Sequence, residues 1–179
     1  MITDLDLLLE RIANGEKIFS SLAMSSVSML RSPLKQLTLR GSTWTDVDLR
    51  GSDLSWSDLR DARMTQVDLR STHMFRVNFD NARLVRVELS GSNLHSASFE
   101  GALLEGNHLR AAQMPGANLR RARLRGAIMQ GANLRDADLR GADLSGVNLT
   151  EATLSNARFD GAMLAHTNFT DAIDPPALS

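Results

Sequence analysis

Residues 131–150, GANLRDADLRGADLSGVNLT, consist of four five-residue units that each carry a Leu at the same place. The period of five continues without an insertion from Met24 to Phe169, which makes 30 units. The repeated residue, called the central residue below, is Leu in 19 units, Met in 6, Phe in 4 and Trp in one. None of these positions is polar, so the pattern predicts that the central residues are buried.

Neither an α-helix nor a continuous strand buries residues that recur every five positions. In a helix the central residues would spiral around the axis, and in a strand they would alternate between its two faces. Residues two apart do share a face of an extended chain, and the position two before the central residue is Ala in 14 units and Val in 6. Eleven of the 12 glycines lie two after a central residue, which is typical of turns. We therefore predict a solenoid in which every unit buries two side chains and then turns a corner.

Units such as ANLRD, ADLRG and ADLSG resemble the A(D/N)LXX consensus of the pentapeptide repeat family, over roughly residues 22–172. The resemblance implies an all-β solenoid, a right-handed quadrilateral β-helix with four units, and therefore 20 residues, in each coil. Thirty units would make about seven and a half coils and a rod about 36 Å long, at about 4.8 Å for each stacked layer. The first units, SSVSM and RSPLK, depart from the consensus, so the first coil begins somewhere within residues 17–37.

The sequence outside the repeat predicts a cap at one end and a stop at the other. TDLDLLLERIA, residues 3–13, has the spacing of an amphipathic helix with Thr3 or Asp4 as its N-cap. We interpret residues 1–21 as an N-terminal helical cap, 22–172 as the β-helix and 173–179 as a C-terminal tail. The two prolines of the tail lack the N–H that a further coil would need.

Composition and motifs argue against an enzyme. The chain has no Cys, which excludes disulfides and thiolate metal sites, and its four His are not at metal-ligand spacing. No nucleophile and base are paired, so we predict no catalytic residue, no cofactor and no metal. The apolar run Leu7–Leu9 is too short for a signal peptide or a membrane span, and we expect a cytoplasmic protein.

Residues 20 apart should stack on the same one of four walls. We call wall A the wall that contains every fourth central residue from Trp44 to Leu124, at positions 44, 64, 84, 104 and 124. Walls B, C and D follow it in this order along the chain. The repeat demands neither an outward arginine cluster nor outward aromatic rings, so both are candidate interaction surfaces. The alternatives are that the arginines form a solvated face, and that the aromatic rings are scattered exposed apolar residues or pack under the N-terminal segment. Wall A carries Arg63, Arg83, Arg86, Leu103, Arg121, Arg123 and Arg125, and wall C with its corner carries Trp56, Phe75, Arg76 and His95.

Two further expectations concern polar residues. Wall B alternates acids with arginines, as in Asp48 and Arg50, and this ladder should offset repulsion between stacked charges. Asn107 stands where Ala or Val is expected, so we predict that its amide bonds backbone groups at a local distortion of a coil.

Three functions are open from the sequence. The first is a rigid scaffold for a protein partner, with self-association through the C-terminal end as a further expectation. The resemblance adds a second, since some family members mimic duplex DNA, bind type II topoisomerases and protect them from quinolone-type poisons. It also adds a bacterial secretion-associated protein or effector. From Leu34 to Asp171 there are 17 Lys and Arg against 16 Asp and Glu, a balance that disfavours both an acidic DNA mimic and direct nucleic-acid binding.

Overall fold

The computed structural model describes residues 5–176, which form one short helix followed by a parallel β-solenoid. The helix α1 spans Leu5–Ala13. Four strands, β1 Ala23–Ser28, β2 Thr43–Asp48, β3 Arg63–Asp68 and β4 Arg83–Val85, pair in parallel in chain order. The predicted helical N-cap at Thr3 or Asp4 lies outside the described residues.

Each coil contains 20 residues, as the family resemblance implies. Thr43 of β2 pairs with Arg63 of β3, and single parallel bridges continue the same step from Ile18–Thr38 to Thr153–Ile173. The bridges fall into four series that are five residues apart along the chain, so each coil has four walls. Wall A contains Arg63, Arg83, Leu103 and Arg123; wall B Asp48, Asp68, Glu88 and His108; wall C Asp53, His73, Asn93 and Gln113; wall D Asp58, Asn78, Ser98 and Asn118.

A left-handed residue makes every corner. The residue two after the central residue has a φ between 51° and 70° at each corner from Ser21 to Asp171. At most corners the next unit donates a backbone N–H to the carbonyl of the central residue, as Ala117 does to Met114 at 3.1 Å. Such a turn needs positive φ at its third residue, which glycine adopts without steric cost. This requirement explains why 11 of the 12 glycines occupy corners.

The central residues and the small residues before them fill the solenoid. Every central residue from Met24 to Leu154 is buried. Phe79 and Phe99 stack one coil apart inside wall D, with ring centroids 5.1 Å apart. The predicted interior is therefore confirmed.

The two ends of the core differ. Leu8 of α1 is buried, and Leu5, Leu9 and Ile12 pack against the same apolar cluster, so the helix covers the N-terminal end as predicted. At the other end the inward side chains, including Phe159 and Phe169, are only partly buried. Within residues 5–176 no further coil covers them.

The corner between walls A and B changes its geometry at Asn107. Strands β1 to β3 run continuously through this corner, whereas β4 stops at Val85 and the next coil makes a turn at Leu104–Asn107. The Oδ1 of Asn107 accepts a hydrogen bond from the Val87 N–H at 2.8 Å, and its Nδ2 donates to the Leu84 carbonyl at 2.9 Å. The predicted role of this amide is thus confirmed, because it bonds the two backbone groups at the change of corner.

Candidate interaction surfaces

Four side chains form an aromatic patch on the corner between walls C and D. The rings of Trp56 and Phe75 meet edge to face with centroids 5.4 Å apart, and Phe75 stacks on His95 at 5.3 Å. The Arg76 guanidinium lies 4.8 Å from the Trp56 ring centroid and 5.3 Å from that of Phe75. The structure therefore brings together all four residues that the sequence placed at this corner.

The repeat itself builds this patch. Phe75 and His95 are 20 residues apart, so they occupy equivalent places on adjacent coils, and the same holds for Trp56 and Arg76. Trp56 sits at a left-handed corner with φ 64°, which directs its ring out of the core and leaves it 50% exposed. Among the described residues Arg76 has no carboxylate within the 4.0 Å of an ion pair, so its charge interacts with the two rings instead.

Wall A contains a cavity as well as the predicted arginines. The cavity has a volume of about 330 Å³ and is lined by Arg83, Leu84, Val85, Leu103, Glu105 and Arg123. Sequence reasoning placed Leu103 and the arginines on one wall but did not predict a cavity. Arg121 and Arg125 lie outside its lining.

The arginines of wall A fall into two groups. Arg123 pairs with Glu105 at 2.6 Å, and Arg125 approaches Asp143 at 3.5 Å. In the described part of the chain the others have no carboxylate within 4.0 Å, and these are Arg63, Arg83, Arg86 and Arg121. Wall A therefore keeps unpaired positive charge, most of it toward the N-terminal side of the cavity.

On walls B and D four aspartates, Asp48, Asp58, Asp68 and Asp138, bind the arginine of their own unit. Arg50 donates to both carboxylate oxygens of Asp48, at 2.9 and 2.6 Å, and Arg60 binds Asp58 in the same way. These hydrogen bonds hold the pKa values of Asp48 and Asp58 below their usual range. The predicted ladder is confirmed as charge pairing for Asp48 and Asp68, whose shortest contacts run within a unit rather than between coils. Its third acid, Glu88, contacts His108 at 2.7 Å instead of an arginine.

A second concave surface was not predicted from the sequence. It lies on the corner between walls B and C, measures about 470 Å³ and is lined by Leu30, Arg31, Arg50, Gly51, Arg70 and Ser71. The only sequence signal is the exposed Leu30 in a unit that departs from the consensus.

Other kinds of site are not apparent in residues 5–176. No group of three or more His, Asp or Glu is arranged to hold a metal ion there. Over the same range, no helix has the length and hydropathy to cross a bilayer.

The match to a protein-family model agrees with this architecture. Eight copies of the family Pentapeptide repeats match residues 34–66, 72–106, 108–141 and 142–173, about three quarters of the 179-residue chain. No curated protein matches. HetL of the cyanobacterium Nostoc sp. strain PCC 7120, a pentapeptide repeat protein involved in heterocyst differentiation regulation, is 22% identical over 99% of this chain and 100% of its own, with a TM-score of 0.38.

Two further solved structures are similar. QnrB1, a plasmid-mediated fluoroquinolone resistance protein, is 19% identical over 87% of this chain and 73% of its own, with a TM-score of 0.43. A pentapeptide repeat protein of the Arabidopsis thaliana thylakoid lumen is 32% identical over 51% of this chain and 66% of its own, with a TM-score of 0.27. The extent of the family match decides the assignment, and this chain belongs to the pentapeptide repeat family.

Proposed function

We propose that the protein is a non-enzymatic scaffold that binds a protein partner through the aromatic patch. One observation carries the proposal. Trp56, Phe75, Arg76 and His95 form a contiguous, solvent-facing cluster that the repeat does not require for its own packing. Aromatic residues and arginine are enriched in interface cores and dominate their binding energy.

The geometry of the patch supports binding with little loss of conformational freedom. The rings already contact one another, and the backbone beneath them is fixed by the hydrogen bond from the Trp56 N–H to the Phe75 carbonyl at 2.8 Å. A surface that is ordered before binding loses less entropy when its partner arrives. A cytoplasmic location is part of the proposal, and a chain without cysteine is compatible with a reducing compartment.

The test compares two variants that remove exposed apolar surface at different places. Wild-type protein, the double variant Trp56→Ala with Phe75→Ala, and the control Leu30→Ala are immobilised and exposed to extract from the native host. A protein retained by the wild type and the control but not by the double variant is then purified, and its dissociation constant is measured. We expect the double variant to weaken binding at least about tenfold, as for interface hot spots.

The melting temperature decides whether that loss reflects binding. We expect circular dichroism melts of all three proteins to agree within about 4 °C, because the mutated side chains lie outside the core. A larger fall in the double variant would show that the patch stabilises the fold, and unchanged binding to the partner would refute the proposal.

The topoisomerase alternative makes a separate prediction. A DNA mimic presents negative charge, whereas the unpaired charges identified above on wall A are those of arginines. We therefore expect micromolar protein to leave DNA gyrase supercoiling unchanged with and without a quinolone. Protection of the enzyme in this assay would favour the DNA-mimic function over the scaffold. The effector alternative has no supporting observation among the described residues.

A further inference from the structure

The cavity on wall A combines an apolar floor with unpaired positive charge. Val85 is 42% exposed and Leu103 is partly buried, and both line the cavity. The backbone of Leu103 forms parallel β-bridges with Arg83 of the preceding coil and with Arg123 of the following coil. An apolar side chain therefore occupies the place that arginine takes in the adjacent coils. The result is a recess for an apolar group with guanidinium groups at its edge.

The cavity coincides with the change of corner described above. Its Val85 is the last residue of β4, and its Glu105 lies in the first turn that replaces the continuous strand. The Asn107 amide joins the carbonyl of Leu84, one of the lining residues, to the Val87 N–H. The buried amide thus holds the two coil geometries together next to the cavity.

The charges around the cavity are not balanced within the described chain. Arg63 and Arg83 are register partners on neighbouring strands, so two like charges lie one strand spacing apart without a carboxylate partner. Like charges directly opposite each other on a sheet are destabilising. Arg86 adds a third unpaired charge, whereas the charge of Arg123 is offset by Glu105 at 2.6 Å. An anionic partner would relieve this repulsion.

We propose that the cavity binds an acidic segment of a protein, with one apolar side chain against Val85 and Leu103 and with flanking carboxylates on Arg63, Arg83 and Arg86. Charge complementarity selects this occupant, and the apolar floor distinguishes it from a nucleic acid. A phosphate backbone would gain nothing from Val85 and Leu103. This site is separate from the aromatic patch, because wall A and wall C lie on opposite sides of the coil.

The experiment uses a defined probe. A fluorescein-labelled 12-residue peptide of Glu and Ser with one central Leu is titrated with full-length protein, and binding is followed by fluorescence anisotropy. We expect saturable binding that weakens about threefold in Arg83→Gln, in line with the modest strength of exposed ion pairs. The control Arg31→Gln removes an exposed arginine from another corner with the same change in net charge, and its binding should stay within twofold of the wild type.

Two more comparisons test the apolar contact and the independence of the site. Val85→Ser in the protein and Leu→Ser in the peptide should each weaken binding about threefold, since both remove part of the same apolar contact. The double variant Trp56→Ala with Phe75→Ala should bind the peptide like the wild type.

Several results would overturn the proposal. Absence of saturable binding would do so, as would equal losses in Arg83→Gln and Arg31→Gln, which would indicate general charge attraction. A 12-base-pair DNA duplex that displaces the peptide at a lower concentration than unlabelled peptide would assign the site to phosphate instead. Failure of this test leaves the aromatic patch unaffected, and loss of the patch function leaves this site unaffected.

Discussion

Removing the Asn107 amide tests how the solenoid accommodates its change of corner. The side chain is 1% exposed and makes hydrogen bonds of 2.8 Å to the Val87 N–H and 2.9 Å to the Leu84 carbonyl. In Asn107→Ala both backbone groups lose their partner, at about 1–3 kcal/mol for each unsatisfied buried group. A water molecule in the vacated space would recover part of this loss. We therefore expect the free energy of unfolding in urea to fall by about 3 kcal/mol.

Two further variants serve as comparisons for Asn107→Ala. Ser92→Ala removes the hydrogen bond from the Ser92 hydroxyl to the Leu89 carbonyl. This carbonyl still accepts from the N–H of residue 92, so the free energy of unfolding should fall by less than about 1 kcal/mol. Asn107→Asp should destabilise at least as much as alanine at neutral pH, because one carboxylate oxygen would face the Leu84 carbonyl. An Asn107→Ala protein within about 0.5 kcal/mol of the wild type, with unchanged hydrogen exchange at the Val87 amide, would refute the reasoning.

Three further outcomes are expected. Because Arg60 lowers the pKa of Asp58 below its usual 3.8, the pair stabilises the fold above that pH. The melting temperature should therefore fall as pH drops below about 4, and Arg60→Gln should flatten the fall. Trp44 is 1% exposed and Trp56 50%, so acrylamide should quench the fluorescence of Trp44→Phe strongly and that of Trp56→Phe only slightly. Because Phe169 is only partly buried, we expect two chains to pair through the C-terminal end. Sedimentation velocity should show a dimer that Phe169→Glu abolishes. A wild type that stays monomeric at about 100 µM, well above typical dissociation constants, would contradict this.

The period of five was enough to predict a solenoid but not the size of its coil. Burial of residues two apart and the clustering of glycine after the central residue both follow from backbone geometry, and both are seen at Ala117 and Gly116. The number of units in each coil depends on how sharply the corners bend, which no side-chain pattern encodes. The figure of four came from the family resemblance, and the bridge from His73 to Asn93 agrees with it.

The candidate surfaces were predicted as groups of residues but not as contacts. Stacking at intervals of 20 placed Phe75 beside His95, because the backbone register alone decides that pair. Which arginines remain unpaired depends on side-chain conformations that the register leaves open, as the pairing of Arg123 with Glu105 illustrates. The cavity lies at a change in corner geometry, for which Asn107 was the only signal in the sequence.

Because each five-residue unit makes one corner of the solenoid, the gain or loss of a unit changes where the following surface residues lie. Inserting or deleting one five-residue unit leaves every central residue facing the interior, yet it turns everything that follows by one wall, a quarter of a revolution. A single unit lost between Phe75 and Arg83 would move the cavity from wall A to wall D while the core sequence stayed intact. The arrangement of surface residues in this protein can thus change through the insertion or deletion of whole units, without a single substitution in the interior.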